Sequence, residues 1–197
     1  MVYVYYKFTE SSLTHREQHK AAFEMLGFLL KRTEGEDYCL NTGVMPKGKP
    51  YLTNSEAKFS VSHAMGCVVC ALSSEKKADI PQNCGEYVLA AEIPVDARDV
   101  GCDVEPYGND LTLRSKARIT KKLFTEAEKQ LIASSGEPDN EFIRVWTAKE
   151  SFVKCTGEGL GGIKKVDITA LSDEYGIYKY EIFHDGHGYS VSVCIQK

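Results

Sequence analysis

VWTAKESFVK, running from Val145 to Lys154, is the stretch from which the rest of the chain can be read. It has the character of a helix, with Val145, Phe152, Val153 and the chain's only tryptophan, Trp146, supplying apolar surface. Glu150 and Lys154 are four residues apart, so on a helix they are neighbours on one face. Taken alone, the two read as a surface ion pair, since such pairs are common on solvated helix faces. Upstream, Val100 to Glu105 (VGCDVE) offers two further carboxylates in the context of a strand. Alternation along a strand puts Asp103 and Glu105 on the same face, about 7 Å apart along the backbone.

Two carboxylates with nothing between them repel, and one stays partly protonated unless a cation sits there. Mg²⁺ suits such a place, because it binds through one or two carboxylates and keeps its other positions for water and substrate phosphates. Glu150 would complete a set of three acids, and Lys154, one turn further on, would reach a phosphate oxygen on the same metal. That is an arrangement for phosphoryl chemistry, in which metal and ammonium neutralise charge on a leaving phosphate. By itself, the D-x-E pattern still reads as a solvated strand end.

Composition sets the frame. The 197 residues allow one domain or two small ones, and a chain of this size needs no metal or disulfide staple to fold. A net charge of −4 argues against a broad nucleic-acid footprint. No apolar run approaches the ~20 residues of a membrane span, and MVYVYYKF has no basic stretch followed by an apolar core. The expectation is a cytoplasmic protein with neither nucleic acid nor membrane as partner. Seven cysteines, an odd number, disfavour a complete disulfide framework, and all are read as reduced. Cys67 and Cys70 lie three apart in a strand-like segment, hence on opposite faces.

Along the chain, Val2 to Phe8 reads as a strand. Thr14 to Glu17 is a capping box opening a helix whose apolar stripe is Ala22, Met25, Leu26, Leu29 and Leu30. Phe59 to His63 alternates, turns, and resumes as a strand from Cys67 to Leu72. Ser62 and His63 are adjacent on an extended chain and point apart, so they are no nucleophile–base pair; they suit anion binding better. Residues 73 to 99 begin loop-like, and Tyr87 to Ile93 fits either a strand or a short helix. Helices are expected from Leu111 to Leu123, after a second capping box at Thr125, and after Asp139 as cap. Strands are expected at Lys164 to Thr169, Ile177 to Phe183 and Tyr189 to Ile195. A weak echo between HAMGCVVCA from His63 and HGYSVSVCI from His187 hints at two similar α/β units.

Five short motifs stand in one order: GKP (Gly48 to Pro50), FSVSH (Phe59 to His63), GCDVE (Gly101 to Glu105), FTEAE (Phe124 to Glu128) and WTAKESFVK (Trp146 to Lys154). In that order they resemble the Sfp-type 4′-phosphopantetheinyl transferases. The resemblance implies an α+β monomer of two similar α/β subdomains related by a pseudo-twofold axis, with the active site at their interface. Residues 1–99 would make the CoA phosphate contacts, and residues 100–197 would carry the metal ligands and the catalytic helix. It also implies Mg²⁺-dependent transfer of phosphopantetheine from coenzyme A to a serine of an apo acyl or peptidyl carrier protein, releasing 3′,5′-ADP. Asp103, Glu105 and Glu150 match the metal ligands. Lys154 matches the lysine that contacts the pyrophosphate and protonates the leaving group, and Glu150 is the candidate base. Lys49, Ser62 and His63 match positions that bind CoA phosphates. Arg16, His19 and Lys20 are candidates for the 3′-phosphate. The alternative is an inactive relative that binds CoA or a carrier protein. Two departures stand out: residues 73–99 are longer than the pattern leads one to expect, and Ser60 replaces its usual residue.

Overall fold

The computed structural model of the chain describes residues 1–76, 83–108 and 113–197. Strand β1 (Val2–Phe8) is covered on both faces, and its alternation says by what. Val2 and Val4 enter one apolar core, while Tyr3 and Tyr5 enter another, formed with helix α1 (His15–Glu34). Thr14 caps α1 as expected, in a reciprocal capping box with Glu17. A small hairpin follows, β2 (Thr42–Val44) with β3 (Pro50–Leu52). Strand β4 (Lys58–Ala64) then turns at Met65 and Gly66 into β5 (Cys67–Ser73). Cys67 and Cys70 fall into different cores, as their spacing requires. Among the described residues, the six cysteines whose side chains are placed are all free thiols.

The Tyr87–Ile93 segment is a strand, β7, because it pairs antiparallel with β1. With β6 (Asn83–Cys84) it completes a sheet of order β4-β5-β1-β7-β6. A second antiparallel sheet has β8 (Asp99–Pro106) beside β10 (His187–Gln196) and then β9 (Tyr175–His184). The two sheets share a core: Val4, Val69 and Ala71 pack with Val100, Cys102, Val104, Val191 and Val193. Strands β4 and β8 are tied where the Cys102 N–H donates to Ser60 Oγ at 2.9 Å.

Helix α4 (Pro138–Thr156) packs on the second sheet and α3 (Glu126–Ser134) packs on α4, while α2 (Leu113–Leu123) brings Ile119 and Leu123 against the Phe124 and Phe142 cluster. Residues 111 and 112 of the expected second helix lie outside the described residues. Two expectations are corrected. Asp139 is not the cap of α4: the helix opens with Pro138, whose fixed φ suits the first position, and Asp139 lies in its first turn. Lys164 to Thr169 is not a strand but the end of a 3-10 helix (Leu160–Lys165) and an irregular stretch. Its ladder groups are taken by side chains: Lys149 Nζ bonds the Val166 carbonyl, and the Ile168 N–H donates to Glu128. The HDGHG turn also sits at Asp185 and Gly186, ahead of His187, so the two halves of the sequence echo are out of step. None of the described helices is long and apolar enough to cross a membrane.

Candidate active site

Gly101 explains how the acids come together. A Cβ on it would lie 2.1 Å from the Ser151 carbonyl oxygen and 2.2 Å from the Cys155 nitrogen. Helix α4 therefore rests on the bare backbone of β8. Because β8 alternates, Cys102 and Val104 go to the shared core and the carboxylates at 103 and 105 to the other side. From α4, Trp146, Glu150 and Lys154 arrive at four-residue spacing, all three lining the same cavity as Asp103 and Glu105.

Lys154 Nζ lies 2.6 Å from Asp103 Oδ1 and 2.9 Å from Ser62 Oγ, and the Ser62 hydroxyl donates to the same Asp103 oxygen at 2.8 Å. Burial opposes the charge on Lys154, but Asp103 and its acidic neighbours outweigh it and raise the ammonium above its ordinary value. Burial and the nearby Asp103 push Glu150 up to about 7. Glu105 also rises to about 7, through burial, Asp103 and Glu150, against the opposing pull of Lys154 and a hydrogen bond from the Trp146 side chain.

The cavity measures ≈ 530 Å³, in the range of small-molecule sites. Facing the acids are His15 and His19 of α1 with Ser62 and His63 of β4; Lys47 to Pro50 and the loop glycines 157 and 159 form its rim. The His63 ring stands 4.5 Å from that of His15 and 6.0 Å from that of His19. Burial and repulsion by His15, His19 and Lys154 lower His63 to about 4, so its imidazole is neutral at neutral pH.

Of the residues singled out in the sequence, Asp103, Glu105, Glu150, Lys154, Ser62, His63 and His19 all line this cavity. Arg16 and Lys20 do not; both are exposed on α1, and Lys20 lies 3.5 Å from Glu24. Lys49 is at the rim, with its ammonium turned to Asp99 and the Cys155 carbonyl, each at 2.5 Å. There it satisfies one of the open carbonyls at the end of α4, where a cation is favoured. His15 and Lys47 were not foreseen. Counting back seven residues from Ala22 and Leu26 reaches His15 and His19, which would have found the pair. Trp146 packs against Phe124 at 6.5 Å and lines the same cavity as Glu105.

Residues 99–194 match the family model described as the 4′-phosphopantetheinyl transferase superfamily. The second half of the chain, which carries β8, α4 and the acids, is therefore similar to that superfamily. Among its relatives there is the 4′-phosphopantetheinyl transferase HetI of Nostoc, 25% identical over 65% of this chain and 46% of its own length. A Synechocystis protein named as a candidate 4′-phosphopantetheinyl transferase is 30% identical over 71% of this chain and 47% of its own. A holo-[acyl-carrier-protein] synthase of Streptococcus sanguinis is 40% identical over 30% of this chain and 52% of its own. The chain thus spans about half the length of the relatives it matches.

The superfamily's chemistry raises the question of a metal. Among the described residues, no three His, Cys, Asp or Glu side chains stand close enough together to form a ready-made metal site. The residues nevertheless fit a hard divalent cation. Among the described residues Asp103 Oδ2 is buried with no hydrogen-bond partner, and burial and the Asp103 charge raise both Glu105 and Glu150 to about 7. Oxygen donors of this kind suit Mg²⁺.

Proposed function

We propose that the chain is an Sfp-type transferase that moves 4′-phosphopantetheine from coenzyme A to a serine of an apo acyl or peptidyl carrier protein. The observation that carries this reading is the convergence of Asp103, Glu105, Glu150 and Lys154 on one cavity across the β8–α4 contact. The relatives' names supply the substrate class. Residues 1–99 form the half that contributes Ser62 and His63, and residues 100–197 the half that contributes the acids. The protein works as a cytoplasmic monomer, with no nucleic acid or membrane as partner.

Asp103, Glu105 and Glu150 would hold Mg²⁺, which supplies charge neutralisation at the pyrophosphate when bound. Lys154, kept charged by Asp103, supports the same pyrophosphate. The neutral His63 can donate a hydrogen bond to a phosphate oxygen, and Ser62 can do so once its hydroxyl turns from Asp103. The carrier serine Oγ forms a bond to the phosphorus bearing the pantetheine arm as that phosphorus loses its bridging oxygen. The serine proton passes to a base, the role for which Glu150 is the candidate. The oxygen of the departing 3′,5′-ADP takes its proton from Lys154 or from water.

Intact-mass spectrometry of an apo-carrier protein incubated with the chain, CoA and Mg²⁺ tests this. The expected result is one added phosphopantetheine per carrier, lost when EDTA is present. No added mass on any of several apo-carriers would overturn the reading.

A further inference from the structure

The residue before Glu150 has a separate task. Lys149 is rotated about 100° around α4 from Glu150 and so leaves the helix on another face. It is fully buried, as is its partner Glu128. Its ammonium is saturated: both Glu128 oxygens lie at 2.8 Å and the Val166 carbonyl at 2.5 Å. The Glu128 carboxylate also accepts the N–H groups of Ile168 at 2.9 Å and Thr125 at 2.8 Å. One ion pair thus joins the start of α3, the middle of α4 and the stretch after the 3-10 helix. Buried ion pairs are replaceable by apolar groups at little cost in stability, so stability alone does not account for it.

Glu150, by contrast, has no hydrogen bond of its own among the described residues, and its carboxylate goes where the α4 backbone carries it. The sheet side of α4 is held by Gly101 and by the Thr147 hydroxyl against Ser190 and Ser192 at 3.0 and 3.1 Å. Arg144 on Glu181 and Lys154 on Asp103 tie other faces of the helix, and Lys149 on Glu128 is its fully buried tie, next to Glu150 in sequence. We propose that Glu128, acting through Lys149, is a positioning residue for Glu150. The inference rests on the transferase reading above. A helix turned so that a reacting group shifts by about 1 Å can lose on the order of 100-fold in rate.

The test is steady-state kinetics of Glu128→Gln well below its Tm, beside a Leu29→Ala variant that loosens the α1 core remote from α4. Glu128→Gln should lower kcat at least tenfold while KM for CoA stays within about threefold; Leu29→Ala should keep kcat. Where Glu128→Gln does not fold, the neutral pair Glu128→Gln/Lys149→Met, with no stranded charge, takes its place and should show the same loss. A folded variant of either kind with wild-type kcat overturns the positioning role, as does an equal loss of kcat in Leu29→Ala. An inactive wild-type chain would instead refute the transferase reading and the inference with it.

Discussion

Asp103→Asn and Glu150→Ala each lose at least a thousandfold in kcat/KM for transfer, about 4 kcal/mol of transition-state stabilisation. The two changes act on different parts of one device. Asparagine at 103 keeps the shape and an acceptor for Lys154 and Ser62 but removes the charge that holds the ammonium in place. It also replaces one of the two carboxylate oxygens, of which Oδ2 is buried with no hydrogen-bond partner among the described residues. Alanine at 150 deletes the carboxylate proposed both as a metal ligand and as the base for the serine proton. Lys154 should keep its charge in Glu150→Ala and lose much of its support in Asp103→Asn. Initial rates over a range of CoA and carrier concentrations, with far-UV circular dichroism to establish folding, measure the effect. Full activity in either folded variant would refute the assignment of that residue.

Gly101→Ala should be the most damaging small substitution to the fold. The added methyl would meet Ser151 O at 2.1 Å, Cys155 N at 2.2 Å and Cys155 Cα at 2.8 Å, all main-chain atoms that no rotamer change can move. Helix α4 has to lift off β8, at a cost of about 3 kcal/mol or more by the usual penalty for overpacking. For a chain of this length that lowers Tm by roughly 6–12 °C. The same lift draws Glu150 and Lys154 away from Asp103, so transfer should fall further than the loss of stability explains. Differential scanning calorimetry checks the first effect; an unchanged Tm would mean that the β8–α4 contact is not as close as described.

Much of the site was legible because its periods are local. Alternation alone puts Asp103 with Glu105, and a four-residue step puts Glu150 with Lys154. The two capping boxes at Thr14 and Thr125 announce their helices within four residues. What could not be read depends on partners distant in sequence. Lys49 looks like a phosphate ligand until Asp99 and the end of α4 are beside it. Lys164 to Thr169 has the composition of a strand, but Lys149 and Glu128 take the backbone groups a strand would pair. The FTEAE motif does not show in sequence what its last glutamate does: Glu128 serves both as the capping acid of α3 and as the buried partner of Lys149. Arg16 and Lys20 have the charge for an anion site, yet the packing of Met25, Leu26, Leu29 and Leu30 turns His15 and His19 inward instead.

The central claim is that the cavity between β4, β8 and α4 holds a divalent cation and CoA together. X-ray diffraction from crystals grown with CoA and Mn²⁺, collected at the manganese edge, tests it most directly. The result expected is one anomalous peak within bonding distance of Asp103, Glu105 and Glu150, with the CoA pyrophosphate between that peak and Lys154. An anomalous peak away from all three carboxylates, or CoA bound outside this cavity, would contradict the account.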